Sequence, residues 1–137
     1  REVENKFWKR FAVYAQWKEE WEQQYNRTGA VRLFTGFEIR RPMTRNEVIN
    51  GAIQGTAFHC LLWSLVRLQR RLREYKLPAH FLGQIHDSVL MEVPITRIDE
   101  VKEVTRRVME EEIRQQWPWL VVPMRIEMQV HYKNWFD

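Results

Sequence analysis

Between Arg45 and about Tyr75, Ile49, Ile53, Ala57, Cys60, Leu61, Leu65, Leu68 and Leu72 keep a helical period, and Pro78 closes the run. One long helix must therefore run through the middle of the chain. Thr44, followed three residues later by Glu47, supplies a capping box at its start. Val31 to Arg40 alternates around Thr35-Gly36 and reads as a small hairpin ahead of the helix. Strands at about Ala79 to His86 and Val89 to Val93 come after it. A helix from Arg97 to Gln116 follows, with Ile98, Val101, Val104, Thr105 and Val108 facing inward and Pro118 as its stop. Val121 to Val130 reads as a final strand. Helices set between antiparallel strands give an α+β class, a small antiparallel sheet packed against long helices.

The N-terminal segment carries Val3, Phe7, Phe11, Tyr14, Trp17, Trp21 and Tyr25 at steps of three and four, one face of a single helix ended by Gly29. That stripe is expected to face the core. Hydrophobic residues are 45% of the 137, which excludes global disorder. Seven Trp and seven Phe suit a large apolar interior or a face buried against another subunit. No repeat, linker or low-complexity stretch interrupts the chain, so 1–137 reads as one domain. The net charge of +4 is compatible with a phosphate-rich partner. Cys60, the single cysteine, rules out an internal disulfide and suits a small buried hydrophobe in a reducing compartment. No run reaches the roughly 18 apolar residues of a membrane span, and no signal-peptide pattern is present. The chain starts with Arg1 rather than Met, as a processed or truncated piece would.

Chemistry concentrates at Gln84-Ile85-His86-Asp87-Ser88, between two apolar runs. The Asp87-Ser88 pair sits where a tight hairpin is expected to turn. A hairpin tip fixes the direction of one carboxylate, which suits a ligand for Mg²⁺. The same residues are also ordinary turn formers, and the tripeptide alone leaves that reading open. His86, Asp87 and Ser88 do not make a nucleophilic triad, because successive strand residues point to opposite faces. His59, Cys60, His80, His86 and His131 show no zinc-ligand spacing.

Gln54-Gly55-Thr56-Ala57 on the long helix precedes Gln84-Ile85-His86-Asp87 by thirty positions. This pairing resembles the C-terminal palm of a family A DNA polymerase. There, a helix bearing Asn-x-Pro-x-Gln-Gly-Thr-Ala precedes a hairpin bearing Gln-x-His-Asp-Glu by about thirty residues. The segment 29–36 is similar to the stretch between the fingers and that helix. Val122-Pro123-Met124-Arg125-Ile126-Glu127, with Asn134-Trp135, is similar to the family's closing strand. The resemblance divides the chain into a helix following the fingers, 1–28, and palm, 29–137.

The resemblance implies that Asp87 binds catalytic metal and that His86 lies near the primer terminus, both in catalytic roles. It makes Asn50 and Gln54 contacts to the minor-groove side of the nascent duplex, with Gln84 as a further DNA-binding residue. Amides at i and i+4 share a helical face. Minor-groove acceptors are largely common to all base pairs, so such amides can test pair geometry without reading sequence. Without the resemblance, they are equally well read as surface amides. Arg40, Arg41 and Arg45 are candidates for gripping backbone phosphates, against a reading as solvated charges. Arg67, Arg70, Arg71 and Arg73, like Glu110-Glu111-Glu112, read as solvated faces.

Three departures from the family pattern are visible. Ser88 replaces the usual glutamate, Ala52 the usual proline, and Phe58-His59 the usual Ala-Asp, which points to a divergent, phage-type member. The family's other metal aspartate and its fingers Lys and Tyr have no counterpart here. The expected function is therefore the C-terminal part of a template-directed DNA polymerase, inactive alone. Its two-metal Mg²⁺ site would be shared with a chain carrying the N-terminal palm, fingers and thumb. Primer-template DNA and dNTP are the other expected partners. Its expected place is the cytoplasm of a bacterial or phage-infected cell, or an organelle. The competing readings are a non-catalytic duplex-binding module and a metal-dependent nuclease or reverse transcriptase with a similar hairpin.

Overall fold

A computed structural model describes residues 2–134. In order, its elements are α1 (Glu2–Arg10), α2 (Ala12–Thr28), β1 (Val31–Arg32), β2 (Glu38–Ile39), α3 (Arg45–Glu74), β3 (His80–Ile85) and β4 (Ser88–Glu92). A 3-10 turn (Ile95–Arg97), α4 (Ile98–Arg106), a π-helical turn (Arg107–Glu112) and α5 (Ile113–Gln116) follow. The class is α+β, as expected, but the strands form two separate antiparallel pairs, β1–β2 and β3–β4, rather than one sheet. The chain divides into two units, with the boundary inside α3 between His59 and Cys60.

In the first unit, Val31, Leu33, Val48 and Ala52 are buried together, and Trp17, Trp21, Tyr25, Ile39 and Met43 pack around them. Glycine sets the spacing. A Cβ on Gly55 would lie 3.1 Å from Leu33 Cδ1, and one on Gly51 would lie 3.2 Å from Met43 Cε. The absence of side chains at those two positions lets the β1–β2 hairpin and the segment after it approach α3 closely. The capping box forms: Thr44 N–H donates to Glu47 at 2.8 Å, and Glu47 N–H donates to the Thr44 hydroxyl at 3.4 Å. Gly29, at φ +66, caps α2 in the left-handed conformation, its N–H donating to Tyr25 O at 2.8 Å.

Two expectations for the N-terminal segment are corrected. The single helix is broken at Phe11, whose ψ of 44° lies outside helical values, while the Phe7 and Phe11 rings pack 4.8 Å apart across the break. The aromatic stripe faces the core only in its second half. Val3, Phe7, Phe11 and Tyr14 are exposed, because the hairpin and the first turns of α3 cover only Trp17, Trp21 and Tyr25.

In the second unit, Leu68 and Leu72 of α3 bury against Leu77, Val101, Val104 and Val108, with Phe81, Met91 and Val93 of the hairpin segment packed alongside. Lys76, at φ +51, and the bond from Leu77 N–H to Leu72 O at 2.8 Å end α3 before Pro78. Cys60 is buried, and burial pushes its thiol up from the ordinary value.

Three further readings are corrected here. The tight turn comes one residue early. Ile85 pairs with Ser88, so His86-Asp87 is the loop and Ser88 opens β4. Residues 121–130 do not form a strand among the described residues. Inner positions 124, 126, 128 and 130 alternate with exposed ones, as in an extended chain, but a strand also needs a ladder and none is present. The acidic run is not a solvated face. Glu112 is buried and pairs with Arg67 and Arg71, and Glu110 accepts the Ile126 N–H at 3.0 Å, which leaves Glu111 exposed. The expected closing residue Trp135 lies outside the described residues.

Candidate functional site

The β3–β4 hairpin holds His86 and Asp87 as the two residues of its loop. His86 takes φ +55, in the region that favours glycine. A positive φ at the first loop position matches the twist of the strands, but a non-glycine residue there is strained by about 1–2 kcal/mol. The Gln84 side-chain amide donates to His86 O at 3.0 Å and braces that conformation. Gln84 thus spends one amide donor on the loop itself. Asp87 stands exposed beside it, and no hydrogen bond or ion pair reaches its carboxylate among the described residues. An oxygen donor in that state is suited to a hard cation, since it gives up no internal partner on binding. It offers a single carboxylate. Among the described residues, no three His, Cys, Asp or Glu side chains gather where they could hold a metal.

The first unit carries the other expected residues. Asn50 and Gln54 lie one turn apart on α3, both exposed, and neither amide has an internal partner among the described residues. Two side chains keep the surrounding backbone in place. Thr56 donates its hydroxyl to Ala52 O and accepts the Phe34 N–H at 3.4 Å, tying the hairpin loop to α3. Tyr25, which sequence reasoning assigned only to packing, donates its hydroxyl to Arg41 O at 3.0 Å and accepts the Met43 N–H at 2.8 Å. It thereby fixes the segment that carries Arg40 and Arg41. Only the i+4 aromatic spacing marked Tyr25 in the sequence, and that signal does not reveal where its hydroxyl points.

Each expected phosphate-gripping arginine already faces a carboxylate. Arg40 pairs with Glu38 at 2.7 Å, Arg41 with Glu47 at 2.9 Å and Arg45 with Glu22 at 2.8 Å. These pairs are largely solvent-exposed, so each is worth little, and an incoming phosphate can replace the carboxylate. Glu47 is also the acid of the capping box. The Thr44 backbone N–H, the Thr44 hydroxyl and Arg41 together hold its carboxyl down at about 2.

Comparison with known proteins adds a lineage to this geometry. The model of DNA polymerase family A matches residues 1–137. A DNA polymerase I from Chloroflexus aurantiacus is 34% identical over 96 residues, 70% of this chain and 10% of that protein. The DNA polymerase of Bacillus phage SP01 is 26% identical over 116 residues, 77% of this chain and 13% of its own length. The chain thus spans about a tenth of the length of the curated relatives it matches. Among solved structures, the POL domain of Pol1 from M. smegmatis, in complex with DNA primer-template and dNTP, aligns with a TM-score of 0.74. That match has 20% identity and covers 87% of this chain and 22% of that one, a likeness of fold. No helix among the described residues is long and apolar enough to cross a membrane.

Proposed function

This chain belongs to DNA polymerase family A, and from that premise we propose that it is the C-terminal palm part of a template-directed DNA polymerase. In this reading it contributes to nucleotidyl transfer onto a primer 3′ end. It acts only with polypeptide that supplies the N-terminal palm, fingers and thumb, and its proposed place is the cytoplasm of a bacterial or phage-infected cell.

The observation that carries the reading is the loop of the β3–β4 hairpin. A strained His86 is kept where glycine would be cheaper, beside an exposed carboxylate with no internal partner among the described residues. Strain retained at a loop tip marks a side chain held for a task. Asp87 would supply one carboxylate to Mg²⁺, and further ligands would come from the companion polypeptide and substrate phosphates. Bound metal would supply charge stabilisation at the attacking and leaving oxygens. His86, directed by the same loop, would position the primer end. Asn50 and Gln54 would donate to the shared acceptors of the minor groove and so test the shape of the new pair. Arg40, Arg41 and Arg45 would exchange their exposed carboxylates for duplex phosphates. Gln84 would act through the loop that it braces as well as through DNA.

The test mixes this chain with the companion polypeptide and measures Mg²⁺-dependent primer extension and duplex binding, for wild type and Asp87→Ala. Extension by wild type alone, with duplex binding retained by both, supports the reading. Equal extension by both would remove Asp87 from the chemistry. Duplex binding with no extension by either would identify a non-catalytic binding module, a reading that Ser88 favours because it stands at the start of β4 where a second acid would follow Asp87.

A further inference from the structure

Phe58 lies one turn beyond Gln54 and two beyond Asn50, so the three form one ridge of α3, and all three are exposed. Phe58 keeps 49% of its surface open to solvent. Its neighbour His59 is half-buried, with its ring 6.2 Å from Phe58 and 4.3 Å from Phe37. Phe37, at the end of the β1–β2 loop, is itself 55% exposed. Three rings, one from the β1–β2 loop and two from α3, thus form an aromatic ledge where the amide ridge ends. Thr56, anchoring the Phe34 N–H, holds the loop that brings Phe37 there.

We propose that this ledge is a DNA contact, with Phe58 packing on the deoxyribose and base edges of the primer–template minor groove. The inference rests on the polymerase reading and deepens it. Four helical residues advance about 6 Å, a little under two base-pair rises of about 3.4 Å each. Asn50, Gln54 and Phe58 therefore step along a groove at nearly two base pairs apiece. The first two have donors for its acceptors. The third has none and needs none, since sugar faces and stacked base edges are apolar in every sequence. A phenyl ring there adds affinity without choosing a base, as a template-directed enzyme requires. His59, itself packed on Phe37, limits the ring's freedom, so less order is lost on binding.

The experiment uses the assembled polymerase and a primer–template duplex. Phe58→Ala is expected to weaken duplex affinity about tenfold, the scale of one lost aromatic contact. It should leave the dependence of log affinity on log salt concentration unchanged, because no phosphate contact is removed. Phe58→Tyr should keep the affinity. A photoreactive benzoyl-phenylalanine at position 58 should crosslink to DNA. Unchanged affinity in Phe58→Ala, or crosslinking to the companion polypeptide instead of DNA, overturns the inference. An inactive wild-type assembly would instead count against the polymerase reading itself.

Discussion

Arg71 Nε lies 2.9 Å from Glu112 Oε1, and Arg67 Nε engages the other carboxylate oxygen, so one buried acid joins α3 to the C-terminal helices. The backbone makes this possible by winding Arg107–Glu112 as a π-helix between α4 and α5. The wider turn changes which side chains face α3, and a residue in an acidic run becomes a core residue. Removing one partner of a fully buried pair costs about 3–5 kcal/mol. Here both arginines keep access to water, so Glu112→Ala should cost about 2 kcal/mol. A lower midpoint in urea at unchanged slope would show this, and an unmoved midpoint would refute it.

The same acid sets a pH dependence. Burial, its largest single influence, pushes the Glu112 carboxyl up, but the hydrogen bonds and charges of Arg67 and Arg71 outweigh it and hold the group below the usual carboxylate range. A folded-state value below the unfolded one means that protonation favours unfolding. The contribution is complete above the unfolded carboxylate value, near 4.3, and is lost as pH falls through the lower folded value. Stability measured from pH 6 downward should therefore fall less steeply in Glu112→Gln than in wild type. Parallel curves would exclude this linkage.

Sequence periodicity shows what a helix or hairpin will be, and it found α3, its capping box, β3 and β4. It cannot show what will lie opposite. Phe7, Phe11 and Tyr14 keep a perfect helical stripe yet stay exposed, because a stripe records a face and not its cover. Residues 121–130 alternate as a strand does, yet a strand also needs a partner's backbone. Asp87 was legible as a loop carboxylate, whereas the strain on His86 depends on a one-residue register that Asp-Ser turn chemistry misplaced. Glu112 was unreadable because its partners are more than forty residues away and its helix changes pitch.

Gly55 tests the close approach of hairpin and helix. Alanine in a helix interior is favoured over glycine by about 1 kcal/mol. Its Cβ would also meet Leu33 Cδ1 and Cδ2 at 3.1 and 3.2 Å, and Leu33, 3% exposed, must give by a few tenths of an ångström within a packed core. Overpacking a core costs about 1–3 kcal/mol, so Gly55→Ala should lower stability by about 1 kcal/mol. A stabilised variant would mean that Leu33 repacks without loss.

Arg40 and Arg45 should reveal their role through salt. If each grips a phosphate, replacing one by alanine lowers the slope of log affinity against log salt concentration by about 1, uniformly across duplex sequences. The double variant should lose about 2. Arg41 is less suitable for this test because its pairing with Glu47 also supports the start of α3. An unchanged slope in both single variants would leave their pairs with Glu38 and Glu22 as ordinary surface contacts.

His86 offers the sharpest separation of structure from task. Its φ of +55 costs a non-glycine residue about 1–2 kcal/mol. Glycine removes that strain but makes the unfolded chain more flexible, which returns about 0.5–1 kcal/mol. His86→Gly should therefore leave the protein as stable as before, or more stable by up to about 1.5 kcal/mol. If the imidazole positions the primer end, the same variant should lose at least tenfold in Mg²⁺-dependent extension by the assembled enzyme, with duplex binding intact. Stability and activity would then move in opposite directions, an outcome that a purely structural turn residue cannot give. A variant with full extension would show that the strained histidine serves neither.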